Sequence, residues 1–523
     1  MSFPLLTATA ALPALGAIAT AAVPAQRRNA AKLLALTVSL ATLVLAAIVL
    51  FRFDPDGDRY QLTESHAWIA DFGVRYELGV DGIAVALIAL TALLIPFIIL
   101  AGWHDADPVE TGSKRWRPTQ GYFALVLAVE AMVIISFEAT DVFLFYIFFE
   151  AMLIPMYFLI GGFGDRAHQH GEETAATQRS YAAVKFLLYN LVGGLIMLAA
   201  VIGLYVVAGN FSLPEIAEAR ANGTLEMATS TERWLFLGFF FAFAVKAPLW
   251  PLHTWLPNAM QESTAPVAVL ITAVVDKVGT FAMLRFCLGL FPEASEWATP
   301  VILVLALISI IYGALLAVGQ RDIKRLVAYA SISHFGFIIL GIFAMTSQGQ
   351  SGATLYMVNH GISTAALMLV AGFLISRRGS RLIADYGGVQ KVAPVLAGTF
   401  LIGGLATLSL PGLAPFVSEF LVLVGTFARY PVIGIIATAG IVLAALYVLV
   451  LYQRTMTGPV KAEVEGMPDL RARELVVVTP LIVLLLVLGV YPKPLTDIVN
   501  PAVEHTMSDV QKKDPQPEVE AAK

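Results

Sequence analysis

Long apolar segments, separated by short polar ones, occupy almost the whole sequence. A helix needs about 20 apolar residues to cross the hydrocarbon core of a bilayer, so this pattern predicts about fourteen transmembrane helices. No polar segment between them is long enough to fold as a separate domain, and the predicted fold class is an all-α polytopic membrane protein. The predicted spans are residues 4–23, 31–51, 80–102, 119–137, 141–162, 181–208, 234–257, 261–290, 298–318, 324–344, 351–376, 392–427, 431–453 and 474–491.

Prolines interrupt two of these spans. Pro248 and Pro251 lie in the seventh span, and LPGLAPF at 410–416 lies in the twelfth, which is also too long for one straight helix. Each interrupted span is the fourth of a five-span unit, and units with an odd number of helices must insert in opposite orientations. The sequence thus predicts two inverted five-helix repeats, each containing a broken helix. The predicted parts are 1–118 (helices 1 to 3), 119–290 (first repeat), 298–453 (second repeat), 454–507 (a loop and the last helix) and 508–523 (a polar tail).

Composition agrees with a membrane location and excludes several functions. Hydrophobic residues make up 58% of the 523 residues and the mean hydropathy is +0.77, more apolar surface than a soluble protein of this size can bury. The net charge is only -5 and the basic residues are scattered, which excludes nucleic acid as a partner. Cys287 is the single cysteine, so neither an internal disulfide nor an iron–sulfur cluster can form within this chain.

The distribution of Lys and Arg predicts the orientation of the chain. With the N-terminus outside, the inside loops hold about 19 basic residues and the outside segments about 10, and cytoplasmic loops are the ones enriched in basic residues. We therefore expect both termini on the non-cytoplasmic side. The first span lacks a basic segment ahead of it and is followed by another span, so we expect it to be retained rather than cleaved as a signal peptide.

Glu150 and Lys246 place charges inside otherwise apolar spans. A charge at the bilayer centre costs roughly 3 kcal/mol on insertion scales, and such residues usually mark an ion path. Burial disfavours a charged lysine, whereas a carboxylate about 4 Å away stabilises it by about 4 kcal/mol at an effective dielectric constant near 20. Changing the distance between the two groups would then control whether Lys246 keeps its proton. The alternatives are a protonated packing carboxyl for Glu150 and a lysine that snorkels to the interface for Lys246.

Lys277 and Glu419 are further candidates for proton transfer. Lys277 lies in the middle of the eighth span, next to Asp276 and two turns before Arg285. A structural Asp276–Lys277 salt bridge is the alternative, although neighbouring residues on a helix point in different directions. Glu419 follows the second helix break and is the counterpart of Lys246 in the predicted symmetry; a protonated packing carboxyl is its alternative.

Three of the eight histidines, His253, His334 and His360, fall in or near predicted spans. Imidazole titrates near neutral pH and is suited to relay protons between Lys and Glu, although a single membrane histidine is as often a hydrogen bond between helices. Glu130 belongs to the same region as Glu150. Glu138 lies nearer the end of its span, and we expect it to be solvated.

The sequence gives weak signals for metal or nucleotide binding. His168 and His170, beside acidic residues in a loop, could bind a metal ion, but a solvated loop is the favoured interpretation and no metal site is predicted. GGFG at 161–164 follows a helix rather than a strand, so it is interpreted as a turn and not as a nucleotide site.

Six segments of the chain form recognisable motifs: GVDGIAVAL from 79, the block from Asp141 through FFEAMLIPMYFLIGGFG, VKAPLWPLHTWLPNAMQESTAPVAVL from 245, QRDIKRLVAYASISHFGF from 320, NHGISTAALML from 359 and LPGLAPFVSEF from 410. Through these motifs, nearly the whole chain resembles the antiporter-like subunits of the proton-pumping NADH:quinone oxidoreductase, respiratory complex I. Within that family, its length and Glu419 are most similar to the M-type branch, because the L-type and N-type branches and the Mrp D subunits typically carry Lys there.

The resemblance implies roles for the candidate residues. It identifies Glu150 and Lys246 with the family's coupled pair, Lys277 with its central relay and Glu419 with the residue that exchanges protons with the outside. His253, His334 and His360 match family histidines on the hydrated axis between these residues. Glu130 matches a second acidic residue of the family, on the helix before the one that carries Glu150. The chain departs from the family at Asp276 and Phe281, where an aliphatic residue and a Tyr are common.

The resemblance also implies partners and a location. It predicts no cofactor in this chain, with FMN, iron–sulfur clusters and quinone in partner subunits, and L-type and N-type antiporter-like neighbours in the lipid bilayer of a bacterial inner membrane. The predicted function is proton translocation driven by quinone reduction elsewhere in the complex. The alternatives are a Mrp-type cation/proton antiporter subunit, a stand-alone permease and a membrane scaffold.

Overall fold

The computed structural model describes residues 3–107, 118–164 and 171–516. Helices dominate, with one two-stranded hairpin of β1 (Gln61–Ile69) and β2 (Val74–Val80). The helices are α1 (Leu5–Ala21), α2 (Arg28–Arg52), α3 (Gly82–Ala101), α4 (Thr119–Glu138), α5 (Val142–Ala151), α6 (Leu153–Phe163), α7 (Gly171–Ala208), α8 (Leu213–Ala221), α9 (Thr229–Lys246), α10 (Trp255–Glu262), α11 (Ala265–Val269), α12 (Lys277–Ala282), α13 (Pro292–Val318), α14 (Ile323–Phe343), α15 (Ser347–Arg378), α16 (Pro394–Thr407), α17 (Ala414–Arg429), α18 (Pro431–Ala437), α19 (Ala439–Met456), α20 (Ala472–Val490) and α21 (Lys493–Asp509).

Eleven helical segments in the described part of the chain are long and apolar enough to cross a membrane, and α1 and α16 are shorter apolar helices. The predicted polytopic helical membrane protein is therefore confirmed. The count of fourteen spans, the inverted repeats and the five-part division of the chain stay predictions. Residues 517–523 of the predicted polar tail lie outside the described residues.

The prolines break two helices as the sequence predicts. α9 ends at Lys246 and α10 begins at Trp255, with Pro248 and Pro251 between them. Proline has no backbone N–H and cannot continue a helix, so carbonyls at the end of α9 need other donors. The Trp255 indole supplies one by donating to the Val245 carbonyl at 2.9 Å. The second break separates α16 from α17, where Gly412 adopts a φ of 92°.

The predicted 261–290 span is irregular in the structure. α11 and α12 are separated by a π-helical turn at Leu270–Val275, and a second π turn follows at Met283–Leu288. Together these segments form a rod at Ala265–Leu288 that is 100% buried over its most apolar stretch. π-Helical turns interrupt the regular hydrogen-bond ladder and are frequent at functional sites.

The hairpin and the last helix were not predicted. β1 and β2 pair antiparallel, and Gly73 between them has a φ of 66°, which glycine tolerates without a steric cost. Short strands in a polar loop give a weak sequence signal. α21 covers residues assigned to a loop and tail, and Arg59 fixes its end through bonds of 2.9 and 2.6 Å to Asp509.

Candidate functional site

The ends of α5 and α9 bring Glu150 and Lys246 into one region. The fully buried Lys246 ammonium donates to the Phe149 carbonyl at 3.3 Å and lies 4.3 Å from the centre of the Phe149 ring. The Glu150 Oε1 atom is buried without a hydrogen-bond partner. Lys246 thus bonds to the backbone of the residue next to Glu150 rather than to the Glu150 carboxylate.

Gly194 on α7 gives the Glu150 carboxyl its space. A Cβ atom at Gly194 would lie 2.0 Å from Glu150 Oε1 and 2.3 Å from Oε2. Since carbon cannot approach oxygen this closely, any side chain at this position must displace the carboxyl. The absence of a side chain at Gly194 therefore determines where the Glu150 charge lies.

If the chain pumps protons as the resemblance implies, we expect Gly194→Ala to lower pumping by at least about tenfold, because a misplacement of about 1 Å in a reacting group can cost about 10²-fold. The alanine displaces only the end of a flexible side chain, so the protein should still assemble. Pumping is measured as NADH-driven acidification of inverted membrane vesicles. Gly398→Ala is the matched control, since a Cβ there has no neighbour within 4 Å. Wild-type pumping by Gly194→Ala would contradict this role for the Glu150 position.

Lys277 contacts His360 and not Asp276. Its ammonium lies 2.7 Å from His360 Nδ1 and 4.1 Å from the centre of the Phe335 ring. The predicted alternative of an Asp276–Lys277 salt bridge is not formed, since both carboxylate oxygens of Asp276 are buried without a hydrogen-bond partner. Lys277 is therefore available to exchange a proton with an imidazole.

A row of polar side chains continues from His360 to Glu419. The His360 and His334 rings lie 5.1 Å apart between centroids, and the His334 ring lies 5.8 Å from that of Tyr356. The Tyr356 hydroxyl donates to Glu419 Oε2 at 2.9 Å. Ser409, in the second helix break, donates to the same oxygen. Lys277, His360, His334 and Glu419 thus belong to one buried row.

Sequence reasoning missed the hydroxyl groups of this row. Tyr356, His360 and Thr364 recur every four residues on α15, and Thr364 Oγ1 lies 3.1 Å from His360 Nε2. Besides the hydroxyls of Tyr356, Thr364 and Ser409, the row includes that of Tyr447, which lies 3.4 Å from His334 Nε2. The four-residue spacing places the α15 residues on one face and is the signal that could have identified them.

Two further predicted site residues, besides Glu150 and Lys246, lie away from this row. His253 lies in the unwound segment after α9, with its ring 5.3 Å from that of Tyr312. Lys185, which was not predicted, acts electrostatically on His253 and donates to Asn258 at 3.0 Å. Glu130 is fully buried on α4, and neither carboxyl oxygen has a hydrogen-bond partner.

The expectation that Glu138 is solvated is wrong. Its side chain is 0% exposed, and neither oxygen has a hydrogen-bond partner. The hairpin covers this end of α4, since Leu78 of β2 pairs with Ala139. Sequence reasoning treated the span end as open to water because it did not predict the strands.

A resident metal has no evident ligands in the described ranges. Among residues 3–107, 118–164 and 171–516, no group of three His, Cys, Asp or Glu side chains could hold an ion. His168 and His170 lie outside the described residues. The arrangement that the structure does provide is suited to proton exchange, because Lys, His, Tyr and carboxyl side chains can all accept and donate a proton.

Broken helices around buried ionisable residues are features of membrane transporters, and the fold and site place this protein among the antiporter-like transport subunits. The family described as NADH:quinone oxidoreductase/Mrp antiporter, TM matches residues 139–445. The chain is 56% identical over 533 residues to NADH-quinone oxidoreductase subunit M of Mycobacterium tuberculosis, covering 97% of this chain and 95% of that relative. The chain belongs to this family, and the relative described above is an M subunit.

Solved structures agree with this assignment. A chain of respiratory complex I from Thermus thermophilus, solved with bound NADH, superposes with a TM-score of 0.84 at 30% identity and covers 97% of this chain and 99% of its own. A chain of the Mrp complex from Dietzia has a TM-score of 0.82 at 21% identity, covering 98% and 100%. The second similarity shows the shared fold alone.

Proposed function

We propose that this chain is a proton-translocating membrane-arm subunit of NADH:quinone oxidoreductase. The observation that carries the proposal is the buried row from Lys277 through His360 and His334 to Tyr356 and Glu419. Hydrogen-bond distances of 2.7 and 2.9 Å join its two ends, and the rings between them lie 5.1 and 5.8 Å apart between centroids. The M-subunit relatives support the same assignment.

In the proposed mechanism, protons enter near the cytoplasm and pass through Lys277 and the histidines to Glu419, which releases them outside. Lys246 controls entry because its charge state depends on the distance to Glu150. Each proton moved against 100 mV costs about 2.3 kcal/mol, so an external energy source is required. Quinone reduction in partner subunits, which would hold the FMN, iron–sulfur clusters and quinone, supplies that energy.

The proposed location is a bacterial inner membrane, with L-type and N-type antiporter-like subunits as neighbours and both termini outside. Contacts between loops support the alternation of the predicted spans, and the distribution of Lys and Arg supports the choice of side. The segments after the second, fourth and sixth predicted spans meet, since Leu78 pairs with Ala139 and Asp141 with Ser212. Arg381, after the eleventh span, forms an ion pair at 2.8 Å with Asp322, after the ninth, and another at 3.1 Å with Glu262, at the beginning of the eighth span next to the seventh loop. Even-numbered and odd-numbered loops thus form separate groups, as in a chain that crosses the membrane at each span.

The test of this function is Glu150→Gln in the native membrane. We expect it to lower both pumping and the linked NADH oxidation severalfold, because glutamine has a similar shape but cannot ionise and so cannot control the charge of Lys246. Lys246→Ala should have the same effect. Glu218→Gln is the control, as Glu218 is exposed on α8.

Copurification tests the assembly separately. If the proposal holds, flavin and iron–sulfur absorbance should accompany this chain through purification. Wild-type coupling in Glu150→Gln and Lys246→Ala, or purification of the chain without those redox groups, would contradict the proposed function. Sodium exchange, the Mrp-type alternative, predicts instead that vesicle acidification depends on sodium.

A further inference from the structure

The described contacts leave a gap in the middle of the candidate pathway. Lys246 contacts Phe149 on one side, whereas Lys277 contacts His360 on the other. Among the described residues, no hydrogen bond joins Lys246 to Lys277. A side chain between them could carry a proton from the Glu150 region to the central lysine.

Asp276 is the side chain placed to fill this gap. It is 0% exposed, and both of its carboxylate oxygens lack a hydrogen-bond partner. Buried carboxyls are usually hydrogen-bonded, because an unsatisfied buried acceptor costs about 1–3 kcal/mol and a charged one more. The Asp276 carboxylate interacts electrostatically with both Lys277 and Lys246, and those are the two groups that the gap separates.

The packing of the helices places Asp276 toward Lys246. Gly279 lies three residues after Asp276 and so shares its helix face. A Cβ atom at Gly279 would lie 3.0 Å from the Ala247 nitrogen and 3.0 Å from the Phe243 carbonyl oxygen, which shows that this face touches the end of α9. Lys246 lies between those two residues at the same helix end.

We infer that Asp276 carries protons from Lys246 to Lys277 and joins the two halves of the pathway. This inference rests on the proposed function. The Lys246 side chain moves from Phe149 to Asp276, and its ammonium gives one proton to the carboxylate, leaving a neutral amine and a carboxylic acid. The acid then gives that proton to the neutral amine of Lys277, which passes it to His360 Nδ1. One proton moves at each step, and Asp276 returns to its starting state.

The test compares three variants in the whole complex in native membranes. Asp276→Asn keeps the shape of the side chain but cannot ionise, and we expect it to lower NADH-driven pumping by at least about tenfold, a threshold set below the about 10²–10⁴-fold that a positioned proton-transfer group contributes. Asp276→Glu keeps the carboxyl and should pump within about threefold of wild type. The matched control is Thr272→Val, a fully buried change one turn earlier. It alters no charge and removes the hydrogen bond from the Thr272 hydroxyl to the Ala268 carbonyl.

Infrared difference spectroscopy of the complex during NADH oxidation separates a proton carrier from a fixed charge. A carrier must change between carboxylate and carboxylic acid, so wild type should show a carboxylic acid band that is absent in Asp276→Asn and shifted in Asp276→Glu. If Asp276→Asn does not assemble, the shift between wild type and Asp276→Glu is the deciding result. An unshifted band, or wild-type pumping by Asp276→Asn, overturns the inference.

The outcome also distinguishes this inference from the proposed function. If Glu150→Gln lowers pumping whereas Asp276→Asn does not, only the role of Asp276 fails. If neither variant lowers pumping, the proposed function fails with it.

Discussion

Replacing Lys277 with methionine is expected to lower proton pumping by about 100-fold or more, since positioned proton donors contribute about 10²–10⁴-fold. Methionine fills a similar volume with an unbranched apolar chain, so the packing against Phe335 should survive. What is lost is the ammonium group 2.7 Å from His360 Nδ1. Because Lys277 is 0% exposed, water at the surface cannot take over its role.

The measurement for Lys277→Met is vesicle acidification driven by NADH, normalised to the amount of assembled complex. Assembly is followed by NADH oxidation with an electron acceptor that does not require quinone. Lys391→Met is the matched control, because Lys391 is exposed on a short turn. If Lys277→Met assembled and still pumped at the wild-type rate, the row from Lys277 to Glu419 would not be the proton route.

The sequence predicts the membrane fold well because hydropathy and proline are local signals. The breaks after Lys246 and before α17 follow from the missing N–H and the rigid ring of proline, which are properties of the local sequence. The hairpin escaped prediction because its strands pair within a polar loop. That omission in turn made Glu138, which lies beneath the hairpin, look solvated.

The charged residues of the candidate site could be predicted from the sequence, whereas the side chains that they contact could not. Glu150, Lys246 and Lys277 are conspicuous because ionisable groups are costly in apolar spans. Their neighbours are set by long-range packing: Lys277 meets His360 because α15 passes close to the 270–275 turn, where a Cβ at Gly361 would lie 3.3 Å from the Ala273 carbonyl oxygen. Sequence spacing alone cannot show that Lys277 bonds to a histidine 83 residues away rather than to adjacent Asp276.

The second large effect is expected for Glu419→Gln, which should lower pumping by about 100-fold by removing the last proton carrier of the row. Glutamine retains an oxygen that can accept from the Tyr356 and Ser409 hydroxyls, so the local structure should be preserved. The amide cannot gain or lose a proton, and the buried row would end without an outlet. Glu463→Gln, at an exposed position, is the control.

Tyr356→Phe then tests whether the hydroxyl belongs to the same outlet. It removes a hydrogen bond to a carboxyl group, worth about 1.5–3 kcal/mol when the acceptor is charged, and should lower pumping less than Glu419→Gln does. In the Glu419→Gln background Tyr356→Phe should cause little further loss, because residues that act on one step are not additive. Independent, multiplying losses would place Tyr356 on a separate route, and undiminished pumping by Glu419→Gln would show that protons leave without Glu419.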